Sequence, residues 1–283
     1  MPYAYDAATH GERPTGGSDA PVARISVGSA AFLSDIHANT SAFEAVLAEL
    51  ADEPVDALIL NGDITWGSFP ARTVDLIRQS QQRFTHVVLV RGNADRALLE
   101  LADAVRPAGR PRETWMVAAH RPDDVDLLRT VVFQADIEVA GVGVIRSCHG
   151  SPRADIETIT PGTPVDRLAE ATAGVGADVL LTGHVHLQFD RHVAGLPRIR
   201  RSVNPGSVGI PYGGALPGAY WLRVDPEAAR PLDFRMTGYD LDAYIDAMVG
   251  TDDPVREDIA GLLRHPPTAE EIVEDCERRI FAD

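Results

Sequence analysis

The chain has 283 residues, 45% of them hydrophobic and 24% charged, enough to bury one large or two small cores without disulfide staples. Its net charge is −16 and all 26 basic residues are arginine, a balance that argues against general binding to nucleic acid or an anionic membrane, although bound metal ions can reverse the sign of one site. Its two cysteines, Cys148 and Cys276, form no CxxC pair, no apolar run approaches the roughly 18 residues of a membrane span, and no signal peptide is visible, so a soluble cytoplasmic protein is expected.

Residues 1–22, rich in Gly, Pro and small polar residues, read as a disordered tail. Order is expected from Val22, where ISVGSAAFLSD reads as a strand with a polar end. SAFEAVLAEL then places Phe43, Val46, Leu47 and Leu50 on one helical face. VDALILNGD and THVVLVRGNAD read as buried strands, and FPARTVDLIRQSQQ and ADRALLELADAV as helices. Strands alternating with helices predict a parallel sheet with crossovers.

After residue 130 hairpins take over. VVFQADIEVAGVGVIRSCHGS reads as two strands about an AGVG turn, followed by a helix near Pro164–Ala173 and the strand ADVLLTGHVH. FDRHVAG, PRIRRSVNP, GAYWLRVD and PLDFRMTGY add strand-like runs, so a mixed sheet is expected. LDAYIDAMV, PVREDIAGLL and AEEIVEDCERRI predict amphipathic helices, with Thr268 and Glu271 as a capping box for the last.

The polar residues are placed with a pattern. Five strand-like runs end in Ser34-Asp35-Ile36-His37, Asn61-Gly62-Asp63, Arg91-Gly92-Asn93-Ala94-Asp95, Cys148-His149-Gly150 and Gly183-His184-Val185-His186. Ligands of α/β sheets bind beyond the carboxyl ends of strands, so these clusters should converge. Asp35 and His37 are two apart, as are His184 and His186, which in extended chain puts each pair on one side. Imidazole with carboxylate suits zinc, iron, manganese or nickel. Seven donors exceed the needs of one ion and suit two, about 3.5–4 Å apart and sharing a carboxylate. Asp63, after a glycine on a central strand, is the candidate bridge. Gly62, Gly92, Gly150 and Gly183 adjoin these donors and would let backbone approach the ions.

Any one of these histidines alone would read as structural; their company changes that. His10, His86 and His265 lack such company and read as ordinary, as do His120 and His192, for which a pocket wall is the alternative. Cys148 reads as a small buried hydrophobe. Trp66 reads as pocket wall or plain packing. No G-x-S-x-G elbow and no G-x-x-x-x-G-K loop is present, which argues against a serine hydrolase and a P-loop kinase or ATPase.

In this order the clusters resemble the D-x-H, G-D, G-N-x-[DE], H and G-H-x-H pattern of the calcineurin-like metallophosphoesterase superfamily, from Asp35 to about Ser207. Asn204-Pro205-Gly206-Ser207 resembles a turn of its small bacterial phosphodiesterase branch. The resemblance implies an α/β fold: a β-sandwich of mixed sheets flanked by helices in four layers. Residues 23–238 would form the catalytic domain and residues 239–283 a helical extension packed on or beside it. It implies two divalent ions, of Mn, Ni, Fe or Zn. Asp35, His37, Asp63 and His186 would hold one, and Asp63, Asn93, His149 and His184 the other. Asp63, Asn93 and His149 would serve catalysis directly.

The expected reaction is hydrolysis of a small phosphodiester or phosphomonoester, nucleotide-like among the candidates, by in-line attack of a metal-bridging hydroxide. Alternatives are a protein-phosphatase-like enzyme, a dinucleoside polyphosphate hydrolase, or a non-catalytic metal-binding scaffold. A homo-oligomer is compatible with the sequence. Around the donors, Asp95 is expected to orient a ligand or cap a helix, and Asn39 to start the helix at Ser41 or touch substrate. Arg91 and Arg96 are candidate phosphate contacts, and Asn204 a turn former bordering the site. One departure stands out: many relatives read G-N-H-D, with a histidine thought to protonate the leaving group or steady the transition state, and this chain has Ala94.

Overall fold

A break at Gly28-Ser29 decides how the first strands are used. In the computed structural model, which describes residues 22–213 and 217–282, Val22–Val27 forms β1 and Ala30–Leu33 forms β2, in different sheets. The sequence pattern favours a single strand here. The reason for two is local: Gly28 and Ser29 donate their backbone N–H groups to Asp56 Oδ2 at 2.8 and 3.1 Å, so the chain crosses between sheets with these donors satisfied. The expected tail lies outside the described residues except for Val22, which opens β1.

The predicted alternation follows. β2 leads through α1 (Thr40–Asp52), β3 (Ala57–Asn61), α2 (Pro70–Arg83) and β4 (His86–Val90) to α3 (Asn93–Ala102), with β2, β3 and β4 parallel. β10 (Ala219–Val224) and β11 (Leu232–Thr237) extend this sheet antiparallel, in the order β11-β10-β2-β3-β4. In the other sheet, β5 (Gln134–Val139) and β6 (Gly143–Cys148) form the predicted hairpin, turning at Gly141 and Gly143 with φ of 80° and 107°. β7 (Val179–Leu181), β8 (Gln188–His192) and β9 (Arg201–Pro205) complete the order β1-β5-β6-β7-β9-β8. Both sheets are mixed.

Period-two alternation builds the layers. On β2, Ala30 and Phe32 face the other sheet and meet Ile137, Ile145, Leu181 and Val203, while Ala31 and Leu33 face α1 and α2. Leu180 and Cys148, on the outer face of the other sheet, pack on α6 (Val165–Ala171) through Leu168 and Ala171. Strands buried on both faces explain the uninterrupted apolar runs.

Two helices went unread in the sequence: α4 (Pro111–Ala119) and α5 (Pro122–Leu128). Neither carries a clear apolar stripe: α4 buries Met116 beside Glu113, and α5 buries Val125 and Leu128 beside Asp124. Each instead begins on a proline, and the carboxylates of Glu113 and Asp124 fold back to accept from the backbone N–H of Arg110 and Arg121 at 3.1 and 3.0 Å.

The C-terminal helices appear as predicted: α7 (Leu241–Val249), α8 (Arg256–Arg264) and α9 (Ala269–Arg278), the last with the Thr268–Glu271 capping box. α7 and α8 bury Tyr244, Ile245, Met248 and Leu263 beside Phe69 and Ile210. α9 inserts Cys276 against the outer face of β6 and β7. No helix among the described residues is long and apolar enough to cross a membrane.

Candidate metal centre

The carboxyl ends of β2, β3 and β4 in one sheet face those of β6, β7 and β9 in the other, and all seven predicted donors meet there. Asp63 lies at the centre. Its Oδ1 is 3.4 Å from His149 Nε2 and its Oδ2 is 3.7 Å from His37 Nε2, so its two oxygens face different imidazoles. Asp35 Oδ1 lies 3.2 Å from His186 Nε2 and 3.8 Å from His149 Nε2. Asn93 Oδ1 lies 3.1 Å from His149 Nε2. Two groups have donor atoms within 4.8 Å of one another: Asp35, His37 and His186, and Asp63, His149 and His184.

The backbone reaches this geometry by a route the sequence pattern does not suggest. Asp35, His37, Asp63, His184 and His186 have φ of 53°, 46°, 50°, 68° and 56°. The D-x-H and H-x-H pairs are therefore not extended chain with alternating sides; they are left-handed turns that aim both side chains inward. Such conformations cost non-glycine residues roughly 1–2 kcal/mol each, and strain of this kind collects at functional sites. The glycines also act differently from expectation. A Cβ on Gly62 would overlap the His149 ring and one on Gly92 would overlap the Asp63 carboxylate, so they make room for donor side chains.

The ring protons are fixed by backbone carbonyls. His37 Nδ1 meets Trp66 O at 3.1 Å, His149 Nδ1 meets Asn61 O at 3.0 Å, and His186 Nδ1 meets Ile210 O at 2.7 Å. His184 uses the other nitrogen, Nε2 meeting Ala282 O at 2.9 Å. A carbonyl oxygen only accepts, so each of these nitrogens carries the proton and each neutral ring keeps a bare nitrogen for the interior. Nε2 of His37 and Nε2 of His186 face each other at 3.2 Å. Two lone pairs at that distance repel unless a cation or a proton lies between them.

The charges say the same. Burial works against the ionised forms of Asp35 and Asp63, yet neighbouring imidazoles outweigh it, holding Asp35 down to about 2 and Asp63 lower still. Burial also opposes the imidazolium of His149, but Asp63 and Asp35 lift it to about 10, and Asp35 raises His186 likewise. Burial lowers His37 to about 4 and lowers His184. The cluster thus draws positive charge inward, which divalent cations would supply.

The supporting residues sort clearly. Asp95 accepts from the backbone N–H groups of Asp63, Ile64 and Gly92 at 2.9, 3.0 and 2.9 Å, so it both orients the Asp63 loop and ties down the start of α3. Burial, and then Asp63, raise its carboxyl to about 6. Asn39 caps α1 by accepting from Ala42 N at 3.1 Å, with the helix starting at Thr40 and the amide donating to Gly209 O; nothing directs it at a substrate. Asn204 forms the expected turn, accepting from Gly206 N at 2.9 Å, and donates to Gly183 O at 2.8 Å beside the last histidine pair. Arg91 and Arg96 are both drawn to Asp155, at 3.2 and 3.0 Å, which removes the simple picture of two free phosphate contacts. His120 is buried between Met116 O and Thr65 Oγ1, and Cys148 is fully buried, its thiol pushed up to about 12 by desolvation.

Sequence reasoning missed several supports. Ser34 Oγ donates to Asp35 Oδ2 at 2.6 Å, and Asn61 bridges the sheets by donating to Cys148 O and accepting from Ser147 Oγ. Both residues stand inside the motifs, so the signal was present. Tyr212 stacks on His186 with centroids 4.7 Å apart, and Ala282 supplies its carbonyl from the far end of the chain; neither has a local signature. A cleft of about 530 Å³ is lined by His37, Asp63 and Asn93 together with Trp66, Ala94 and Arg110.

A profile of the calcineurin-like phosphoesterase superfamily domain matches residues 29–226. The chain belongs to the calcineurin-like phosphoesterase superfamily. It is 26% identical over 207 residues to an uncharacterised protein of Methanocaldococcus jannaschii, covering 68% of this chain and 81% of that one. Its fold is similar to that of a metallophosphoesterase from Sphaerobacter thermophilus, with a TM-score of 0.61, 23% identity and coverage of 83% of this chain and 98% of that one. A hypothetical protein from Pyrococcus horikoshii gives a TM-score of 0.66 at 21% identity, over 84% and 98% of the two chains. The two mixed sheets with flanking helices are thus the metallophosphoesterase architecture. Divalent metal ions are implied by the calcineurin-like family, and the inward-facing nitrogens and carboxylates are chemically suited to them.

Proposed function

We propose that this calcineurin-like phosphoesterase is a dinuclear enzyme that hydrolyses a small phosphoester, with a diester favoured over a monoester. Asp35, His37, Asp63 and His186 would hold one cation. Asp63, Asn93, His149 and His184 would hold the other, with Asp63 shared. Mn, Ni, Fe and Zn all suit these donors. The observation that carries the reading is the common arrangement of four imidazoles, each donating outward to a carbonyl and turning its other nitrogen inward. The split of the Asp63 oxygens between His149 and His37 supports its bridging role. Cations held there supply Lewis-acid stabilisation of phosphoryl charge and lower the pKa of water towards neutrality.

The chain's own residues do the rest. Asn93, which lines the cleft beside the donors, would touch a phosphoryl oxygen. Residues 23–238 act as the catalytic unit, and residues 239–283 as an extension whose Pro254 and Val255 help wall the cleft. The resemblance of Asn204–Ser207 to the phosphodiesterase-branch turn favours the diester. Ala94 presents a methyl group where a general acid would stand, its N–H donating to Asp63 Oδ1 at 2.9 Å. Rates should therefore fall steeply as the leaving-group pKa rises. Ala94→His should raise turnover of alkyl esters by about 10²-fold while changing activated aryl esters little, since a positioned acid is worth that much only where a proton is needed. A leaving-group series on both proteins checks this.

The decisive test combines elemental analysis with assays of bis(p-nitrophenyl) phosphate and p-nitrophenyl phosphate. Two ions per chain and metal-dependent diester turnover, both lost in Asp63→Asn, are expected. Two ions with no turnover of any phosphoester would instead indicate a scaffold.

A further inference from the structure

The cleft beside the donors has a charge pattern that the chain as a whole does not. In a protein of net charge −16, three arginines, Arg106, Arg110 and Arg112, line it. Arg106 is held by Glu113 at 3.0 Å and Glu100 at 3.3 Å, and Arg112 by Asp253 at 3.2 Å, so both are largely neutralised where they stand. Arg110 is different. It is exposed, and among the described residues its guanidinium makes no hydrogen bond or ion pair. Its backbone is nonetheless fixed: its N–H donates to the buried Glu113 carboxylate, and Pro111 follows it at the start of α4. Ala94 and Ala97, three residues apart on α3, also line the cleft, and their methyl groups take up little of it. A volume of about 530 Å³ is far more than one phosphoryl group needs and lies in the range of small-molecule sites.

We infer that this cleft receives the non-reacting part of the substrate, and that this part carries a second anionic group met by Arg110. The inference rests on the phosphoester reading and adds a substrate class to it: a phosphoester bearing a further phosphate or carboxylate. A guanidinium fork matches either group with paired hydrogen bonds, and neither Arg106 nor Arg112 is free to do so. A mono-anionic ester with an apolar remainder would leave the Arg110 charge unused.

Non-hydrolysable probes separate this from the reaction itself. Protein loaded with Mn²⁺ is titrated calorimetrically with phenylphosphonate, 4-carboxyphenylphosphonate and 1,4-phenylenebisphosphonate. The wild type should bind at least one doubly functional probe about tenfold or more tighter than phenylphosphonate, as a charge-assisted pair would give. Which of the two is preferred tells carboxylate from phosphate. Arg110→Ala should erase that preference and leave phenylphosphonate affinity unchanged, and Arg110→Lys should restore part of it. Because Arg110 is exposed and unpartnered among the described residues, these variants should fold. Equal binding of all three probes by the wild type, or a preference that survives Arg110→Ala, overturns the inference while leaving the phosphoesterase reading intact. Failure of every phosphonate to bind overturns both.

Discussion

Asp95 illustrates how much of the site depends on residues outside the set of candidate donors. Three buried backbone N–H groups, of Asp63, Ile64 and Gly92, end on its two oxygens. Removing the acceptor strands all three, and each buried orphan costs about 1–3 kcal/mol. Asp95→Ala should therefore destabilise the fold by about 3 kcal/mol or more in denaturant unfolding, and Asp95→Asn, which keeps one acceptor oxygen, by less. The ordering of the two variants is the informative part: equal losses would mean that charge, not acceptance, is what Asp95 contributes. The convergence of the seven candidate donors could be read from the sequence because metal chemistry restricts residue type, and because strand ends give those types an address. Their left-handed turns could not, since an Asp or His at φ near 50° looks like any other in a string of letters. Nor could the supporting role of Ala282, because a carbonyl has no residue identity.

At the level of elements, most strands and helices declared themselves through apolar period, whereas α4 and α5, which bury few apolar side chains, did not. That omission hid the arginine-lined cleft. The segment after α9 was hidden for another reason: its role is tertiary. Thr158 donates to Ile280 O at 2.8 Å and Ala282 N to Ile156 O at 2.9 Å, while Ile280 and Phe281 are buried beside Ala154. This strap delivers the Ala282 carbonyl to His184 Nε2 and fixes which nitrogen of that ring is bare. Outer partners of this kind are typically worth about 10–100-fold in metal affinity. Ile280→Ser with Phe281→Ala should loosen the strap and weaken the ion assigned to His184 by about tenfold, sparing the ion at His37 and His186. Stepwise metal titration resolves the two; an equal loss at both would mean the strap acts on general stability.

Over the whole molecule, the donors divide between the sheets. Asp35, His37, Asp63 and Asn93 follow strands of one, and His149, His184 and His186 follow strands of the other. Cations bound there would staple the sandwich at its open end, so metal affinity becomes folding stability. The sign with pH follows from the rings. His149, raised from 6.5 to about 10 in the metal-free protein, stabilises the fold fully below 6.5, and that contribution is lost as pH rises through about 10. His186, also raised, acts in the same direction. Those same protons must leave before a cation can enter, so metal affinity should rise over the same interval. Metal-free and metal-loaded proteins should therefore diverge: between pH 6.5 and 9 the Tm of the first falls while the gap to the second widens. Calorimetric metal titration at pH 7 in buffers of differing ionisation enthalpy should register net proton release. A heat independent of buffer would mean that the inward nitrogens are already bare, and that the carboxylates do not hold the charge their spacing demands.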